Sequence, residues 1–321
     1  MDGKNFYKKC LGFDSGRSDV KEAMFNKEGE LVLRKYPSIA APAPMNANDV
    51  PLMDGVRYYV GELALYAKPE EIIQTSDSSK IKLTLPLFLE KTLKENNLDP
   101  EELEAIVTGL SLAELTEAKE FQKRLTRFKI SGKSYNFKDR IYITPQGVGA
   151  KYAIEYYHKD APKAYIIVDI GFSTIDVVLV INGEVRLEFV KGFKDEGIIK
   201  MIRPLQDYIY KNFKEHIEIR EAQSILDSGK YFIDGEDHDL SDYIKDLAKD
   251  YASYTIDTLR HRFKSEFKKY QKIYFVGGGA KWIEKAGELP SLAQVVENSE
   301  YYNAIGNLLK ACVIVEEKKE V

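Results

Sequence analysis

The chain has 321 residues, 44% of them hydrophobic and 31% charged, which is typical of about two globular domains with a substantial core. Its 47 basic and 51 acidic side chains give a formal net charge of −4, so no global basic field attracts nucleic acid or anionic membrane. The two cysteines, Cys10 and Cys312, and the four scattered histidines exclude a disulfide framework and a His-rich or multi-cysteine metal site.

The hydropathy pattern contains no apolar run that approaches the ~18 residues needed by a membrane-spanning helix. Residues 1–6 also lack the apolar core of a secretion signal. From these features the sequence predicts a cytoplasmic, reduced protein without a membrane span.

The first predicted unit is a hairpin near the N-terminus. A strand at residues 11–13 leads into Asp14-Ser15-Gly16, a few polar residues turn the chain, and a second strand runs over 20–25. Residues 26–30 contain an Asn and a Gly and predict another turn before a third strand at 31–33.

The same order of signals returns about half a chain later. A strand ending in Asp169 is followed by Gly171, and a second strand is predicted over residues 174–180. Asn182-Gly183 is a strong hairpin signal, and a third strand is predicted over 185–190. Such duplication predicts two similar domains that face each other.

The remaining patterns place other elements and a domain boundary. Predicted strands cover 56–60, 105–109, 140–144 and 272–276. Predicted helices cover 85–96, 99–102, 112–125, 148–158, 196–214, 219–227, 241–270 and a segment beginning near 300, and residues 37–51 are predicted as a loop. We predict domain I over 1–158, domain II over 159–299, and a C-terminal helix at 300–321 that returns to domain I.

The order of these motifs resembles that of the actin-like ATPase superfamily, in particular the ParM/StbA-type bacterial or archaeal actins. The two Asp-x-Gly hairpins resemble its first and second phosphate motifs. Residues 145–150 resemble the first connecting segment, 276–280 the adenosine motif, and 303–306 the second connecting segment. The resemblance covers nearly the whole chain. It implies an α/β, actin-like (ribonuclease H-like) fold, in which two similar domains flank a nucleotide cleft that takes ATP or ADP with Mg²⁺.

The two tight turns have the composition of an anion site, because successive backbone N–H groups in such a turn can point at a phosphate. Glycine lets the backbone approach phosphate without a Cβ clash. Lys21 matches the family lysine that reaches the phosphates, although a lysine on an exposed strand face has the same sequence pattern. The predicted phosphate contacts are Ser15, Gly16, Arg17, Lys21, Gly171, Phe172, Ser173 and Thr174.

Asp14 and Asp169 are the predicted metal ligands, since two carboxylates can hold Mg²⁺ through its waters as it bridges phosphates. The resemblance also implies catalytic roles for both. The alternative is that each aspartate caps its own turn.

Gln146 occupies the position at which the family holds a Gln or Glu that orients the attacking water. An amide is no strong base, but it can accept a hydrogen bond from water and hold it in line, so slow hydrolysis is expected. The alternative is that Gln146 caps the following helix. Gly277, Gly278 and Gly279 are predicted to let the adenosine approach the next helix, or else to form a simple helix-initiating turn.

The resemblance implies a filament-forming ATPase, in the first place for DNA or plasmid segregation, whose slow hydrolysis is coupled to polymerisation. Its partners would be copies of itself and an adaptor protein that links it to DNA, without direct nucleic-acid binding. A cell-shape or organelle-positioning actin of the MreB or MamK type is an alternative. A sugar kinase or chaperone-like ATPase is another. Gln146 argues against a kinase, and a chaperone is expected to carry a further peptide-binding domain.

Overall fold

The structure, a computed structural model, describes residues 2–73, 78–186, 190–287 and 289–320. The chain divides into two compact units. Unit 1 comprises Met1–Asp160 with Tyr301–Val321, and unit 2 comprises Ala161–Glu300.

The elements before residue 161 are β1 (Cys10–Ser15), β2 (Asp19–Phe25), β3 (Leu31–Pro37), β4 (Ala40–Ala43), β5 (Leu52–Met53), β6 (Val56–Val60), α1 (Ser78–Glu95), β7 (Ala105–Leu110), α2 (Ala118–Thr126), β8 (Arg127–Ile130), β9 (Lys133–Asn136), β10 (Ile141–Pro145) and α3 (Val148–Tyr157). Those of unit 2 are β11 (Ala164–Ile170), β12 (Thr174–Ile181), β13 (Glu184–Val185), β14 (Lys191–Lys194), α4 (Ile199–Phe213), α5 (Ile219–Ser228), β15 (Lys230–Ile233), β16 (Glu236–Asp239), α6 (Ser241–Arg262), α7 (Lys264–Phe267), β17 (Lys272–Val276), α8 (Ala280–Ala286) and β18 (Ala293–Val295). The last helix, α9 (Tyr302–Lys319), belongs to unit 1. Short 3-10 helices span Gly3–Phe6, Gly61–Tyr66, Pro69–Glu71, Leu112–Glu117 and Ser299–Tyr301.

Unit 1 is built on a five-stranded sheet in the order β10-β7-β1-β2-β3. The first three strands are parallel, and β1, β2 and β3 form an antiparallel meander. The central strands β1 and β7 are almost completely buried, as expected for parallel strands covered on both faces. Their carboxyl ends therefore meet at one edge of the sheet, where Asp14 lies.

Unit 2 repeats this arrangement with the order β18-β17-β11-β12-β13, while β14 also pairs with β12. The strands β18, β17 and β11 are parallel, and β11, β12 and β13 are antiparallel. The shared strand order confirms the internal duplication. Asp169 then occupies in β11 the place that Asp14 occupies in β1.

Close backbone packing fixes α9 against the rest of unit 1. A Cβ atom on Gly12 of β1 would overlap the carbonyl oxygen of Ala304, and one on Gly306 of α9 would overlap the carbonyl oxygen of Gly149 in α3. Only glycine permits such approaches. The two predicted connecting segments are thereby brought together.

Several elements differ from the prediction. Residues 40–43 form a strand because they pair with β6, although their Ala- and Pro-rich sequence predicts a loop. Residues 99–102 form no helix, because the Asp99 side chain accepts a hydrogen bond from the Glu101 N–H and closes a turn. The predicted helix at 241–270 ends at Arg262. The predicted third strand at 185–190 falls partly on residues 187–189, which lie outside the described residues. Within the described part of the chain, no helix is long and apolar enough to span a bilayer.

Candidate functional site

The first Asp-x-Gly turn connects β1 to β2, and a lysine amine faces it. Lys21 is only 8% exposed, and its Nζ lies 3.5 Å from the position that a Cβ on Gly16 would occupy. Lys21 therefore does not lie on an exposed strand face. Its amine faces the turn where Gly16 lacks a side chain, and a Cβ there would also crowd the Asp19 carbonyl oxygen at 2.8 Å.

Asp14 lies directly across the hairpin from Lys21 and is 3% exposed. Its Oδ1 accepts a hydrogen bond of 3.1 Å from the Gln146 side-chain amide. Burial raises the pKa of Asp14, while the Lys21 charge and the Gln146 hydrogen bond act in the opposite direction. Asp14 is thus bound from another strand end rather than used to cap its own turn.

Gln146 follows β10 and reaches Asp14 because β10, β7 and β1 are neighbours in the sheet. Its side chain does not cap α3. The N–H of Gly147 at the start of α3 is instead bound by the Asn303 side chain of α9, at 3.0 Å. With its amide nitrogen bonded to Asp14, the Gln146 side-chain oxygen is available as an acceptor.

Gly109 and Asn307, also in unit 1, lie next to Asp14 and Gln146, and the sequence predicted no role in the site for either. A Cβ atom on Gly109 of β7 would lie 3.2 Å from Gln146 Cγ, 3.6 Å from Asp14 Oδ1 and 3.7 Å from Asn307 Nδ2. Three polar side chains therefore converge on the side of Gly109 that lacks a Cβ. The signal in the sequence is the spacing of Asn303 and Asn307, which places both on one face of α9.

Arg17 differs from the other residues predicted for the first turn. Its guanidinium forms a 2.6 Å ion pair with Glu114, which is partly buried. The arginine charge is therefore largely neutralised by a carboxylate of the same unit. A phosphate contact from Arg17 stays a prediction.

The second Asp-x-Gly turn connects β11 to β12 and rests on the start of α4. The Gly171 N–H donates to the Thr174 carbonyl at 2.8 Å, and the carbonyls of Gly171 and Phe172 accept from the N–H groups of Ile198 and Ile199. A Cβ atom on the preceding Gly197 would overlap the Gly171 carbonyl oxygen. Ser173 and Thr174 complete this turn and the start of β12. The turn carbonyls thus face the helix.

The glycine-rich loop lies against Asp169 within the same unit. Gly277 has a φ of +86°, and a Cβ there would overlap Asp169 Oδ1. The loop is fixed by hydrogen bonds of 2.8 Å from Gly279 N–H to the Ile170 carbonyl and from Gly277 N–H to the Ser299 carbonyl. Gly278 lies between these two anchored positions. Unit 2 therefore places the predicted adenosine loop beside the predicted metal ligand.

Two buried carboxylates face each other across the second hairpin. Asp169 and Asp176 are in register between β11 and β12, and both are less than 5% exposed. The Thr174 hydroxyl donates a hydrogen bond of 3.4 Å to the Asp176 carboxylate. Among the described residues no group of three or more His, Cys, Asp or Glu side chains is arranged to hold a metal, so Mg²⁺ would need waters and phosphate oxygens as further ligands.

Comparison with known families and structures gives consistent matches. Residues 12–149 match the N-terminal domain of actin-like proteins, and residues 167–287 match the C-terminal domain of the archaeal MreB-like actin homologue. No curated protein sequence gives a significant match.

Solved actin-like structures are similar over nearly their whole length. A 15-stranded ParM filament from Clostridium botulinum is 21% identical with a TM-score of 0.77, covering 95% of this chain and 99% of that one. The archaeal actin homologue Ta0583 in complex with ADP is 20% identical with a TM-score of 0.72 and the same coverage. Bacillus thuringiensis ParM with ATP is 17% identical with a TM-score of 0.65, covering 96% of this chain and 99% of that one. These matches confirm the predicted actin-like fold.

Proposed function

The chain belongs to the actin-like proteins, and we propose that it is a filament-forming ATPase that binds Mg-ATP through both Asp-x-Gly turns. The observation that carries the proposal is the hydrogen bond between buried Asp14 and half-buried Gln146, beside a turn that faces the Lys21 amine. The duplicated turn of unit 2, with Asp169 against the glycine-rich loop, supports it independently.

The residues fit the phosphates and the metal of such a ligand. The Lys21 amine would bind phosphate oxygens at the Gly16 turn, and Asp14 and Asp169 would hold Mg²⁺ through its waters. When bound, Mg²⁺ withdraws negative charge from the phosphate oxygens and favours attack by water.

Gln146 supplies orientation rather than base strength. Its amide nitrogen donates to Asp14, which leaves the side-chain oxygen to accept a hydrogen bond from a water. A carboxamide does not remove the proton from that water, so the reaction gains positioning without a strong general base. Slow hydrolysis follows, and a slow reaction leaves time for a polymer to form before its subunits hold ADP.

Filament formation is supported by the likeness to a ParM filament structure. For the cellular role we propose DNA or plasmid segregation in the cytoplasm. An adaptor would make the contact to DNA, since the formal net charge of −4 provides no global attraction for it.

The nucleotide proposal is tested by Asp169→Ala, measured by titration calorimetry with ATP in the presence and absence of Mg²⁺. We expect Mg²⁺-dependent binding by the wild type and a loss of about tenfold or more in the variant, because a charge-assisted metal contact disappears. The exposed Asp207 of α4 gives the matched control, Asp207→Ala, which should bind like the wild type. Equal affinity and turnover in Asp169→Ala would refute the assignment.

A further inference from the structure

Asn307 carries a buried side-chain amide. Its side chain lies in α9 and is 1% exposed. Neither its Nδ2 nor its Oδ1 has a hydrogen-bond partner among the residues that the structure describes. Buried polar groups are almost always hydrogen-bonded, because an unpaired one loses its water without compensation.

Two glycines leave room beside this amide, because neither carries a Cβ atom. A Cβ atom on Gly149 would lie 2.9 Å from Asn307 Oδ1, and a Cβ atom on Gly109 would lie 3.7 Å from Asn307 Nδ2. The same point beside Gly109 is 3.6 Å from Asp14 Oδ1. Asn307 Nδ2 and Asp14 Oδ1 therefore both lie within 4 Å of the point beside Gly109 that a Cβ atom would occupy.

The face of α9 that carries Asn307 is polar along three successive turns. Asn303 binds the Gly147 N–H at 3.0 Å, and Lys310 donates to the Thr144 hydroxyl at 3.0 Å. These neighbours both have direct partners in unit 1. Asn307 lies between them and has no hydrogen-bond partner among the described residues, which leaves its amide available to a small molecule such as water.

We propose that Asn307 binds one water molecule in the space beside Gly109, and that through this water it positions the Asp14–Gln146 pair. The water accepts a hydrogen bond from Asn307 Nδ2 and donates one to the Asp14 carboxylate. Small polar cavities with two or more polar partners hold such waters. Asn307 is a positioning residue, because it acts on the reaction only through Asp14 and Gln146, and this kinetic part rests on the proposed ATPase function.

The test uses Asn307→Leu, which keeps the approximate shape of the side chain and removes its polar atoms. Thr108→Val is the matched control. The Thr108 hydroxyl is equally buried and has no partner among the described residues, and it precedes Gly109 on β7, so it points to the opposite face of the sheet. Both variants are compared with the wild type by crystallography without nucleotide and by steady-state ATP hydrolysis.

We expect a water within hydrogen-bond distance of both Asn307 and Asp14 in the wild type. In Asn307→Leu we expect kcat to fall about tenfold with ATP affinity unchanged, and no further fall when the substitution is added to Gln146→Ala, since residues that act as a unit are not additive. Thr108→Val should retain the water and the wild-type kcat.

Three results would overturn the inference: no water at this place in the wild type, an unchanged kcat in Asn307→Leu, or an additive effect with Gln146→Ala. A wild type that hydrolyses no ATP would refute the proposed function instead. The nucleotide-free structure of Asn307→Leu then decides the positioning role. Loss of the Gln146–Asp14 hydrogen bond supports it, and retention of that bond overturns it.

Discussion

Among single residues, Gln146 most directly separates nucleotide binding from chemistry. It adjoins Asp14 through its amide nitrogen, at 3.1 Å, and its proposed task is to hold a water. We predict that Gln146→Ala lowers kcat by roughly 10²-fold, as the removal of a preorganised group does in other enzymes. ATP affinity should change little, because the phosphate contacts come from the turns.

The measurement is a comparison of kcat with the dissociation constant of ATP in the same variant. Gln122→Ala provides a control in unit 1, since this glutamine also makes a part-buried side-chain hydrogen bond, to the Ile141 carbonyl at 2.7 Å, but lies on α2. A normal kcat in Gln146→Ala would remove Gln146 from the mechanism. If Gln146→Ala fails to bind ATP, Gln146 has a structural role and not one in positioning water.

A second residue-scale prediction concerns Glu22 of β2, which is 1% exposed. The Thr92 hydroxyl and the Asn96 amide donate to its two carboxylate oxygens, and burial raises its pKa above the ordinary 4.5 against the effect of these hydrogen bonds. The pKa of Glu22 is therefore higher in the folded than in the unfolded protein. Glu22 stabilises the fold fully at a pH below its unfolded-state pKa, and this stabilisation is lost as the pH rises through its folded-state pKa.

Glu22→Gln removes this titration. The free energy of unfolding of the wild type minus that of the variant should therefore fall as pH rises from about 4.5 toward neutrality, by about 1.4 kcal/mol for each unit of pKa shift. Urea unfolding of both proteins across this range gives the difference. A pH-independent difference would contradict the raised pKa.

How far sequence reasoning reached differs from residue to residue. The turn glycines and the two aspartates follow from a local motif, because a tight turn needs particular residues at fixed spacing. The sequence left two alternatives for Lys21, a phosphate contact or an exposed strand face, and two for Gln146, positioning water or capping a helix. These depend on the direction in which each side chain points, which a local pattern does not determine. The Arg17–Glu114 ion pair joins residues 97 positions apart, and no local pattern indicates such a pair.

At the scale of elements, α9 packs against α3 with Gly306 directly on the backbone of Gly149. Alanine at position 306 would by propensity favour the helix by about 1 kcal/mol over glycine. Its Cβ would however overlap the backbone carbonyl of Gly149, which cannot rotate away as a side chain can. We predict a net destabilisation of about 1–3 kcal/mol for Gly306→Ala, as for other overpacked contacts.

Thermal and urea unfolding of Gly306→Ala give this value. The exposed Glu317, on the same helix, supplies the control, and Glu317→Ala should lie within about 0.5 kcal/mol of the wild type. Stabilisation of Gly306→Ala by the amount expected from helix propensity would show that the two helices can separate without loss.

The strands that the sequence did not predict fall into two groups. Some form by pairing with a strand distant in the chain, and others are short strands with a weak hydropathy pattern. The strand β4 has no alternation of apolar and polar residues, and it forms through pairing with β6. The hairpins β8–β9 and β15–β16 are short and largely exposed. Long buried strands such as β11 and β17 were predictable because their apolar runs end in turn residues.

For the whole molecule, the duplicated strand order explains why the fold was predictable at all. One Asp-x-Gly hairpin occurs by chance in many proteins. Two of them, combined with the connecting segments and the adenosine motif in the family's order, restrict the fold strongly. The strand orders β10-β7-β1-β2-β3 and β18-β17-β11-β12-β13 express that duplication in three dimensions. The return of α9 to unit 1 was predicted through the motif at residues 303–306, and in the structure α9 packs there with Gly306 against Gly149.

The prediction for the assembled protein is nucleotide-dependent polymerisation with a threshold. A nucleotide bound by both turns favours the arrangement of the two units in which both can reach it. If that arrangement matches the next subunit head to tail, the contact is heterologous and does not close on itself, so it propagates as an open filament. Mg-ATP should therefore produce sedimentable polymer above a critical protein concentration, and hydrolysis should later weaken it.

The Gln146→Ala variant connects this assembly to the chemistry. Because it should bind ATP but hydrolyse it slowly, its filaments should form at a similar threshold and outlast those of the wild type. Light scattering and pelleting over a concentration series, with Mg-ATP, Mg-ADP and no nucleotide, follow both properties. If no threshold and no polymer are found under several salt and crowding conditions while ATP is still hydrolysed, the protein is a monomeric ATPase of the same fold, since turnover without assembly removes the coupling on which a filament depends.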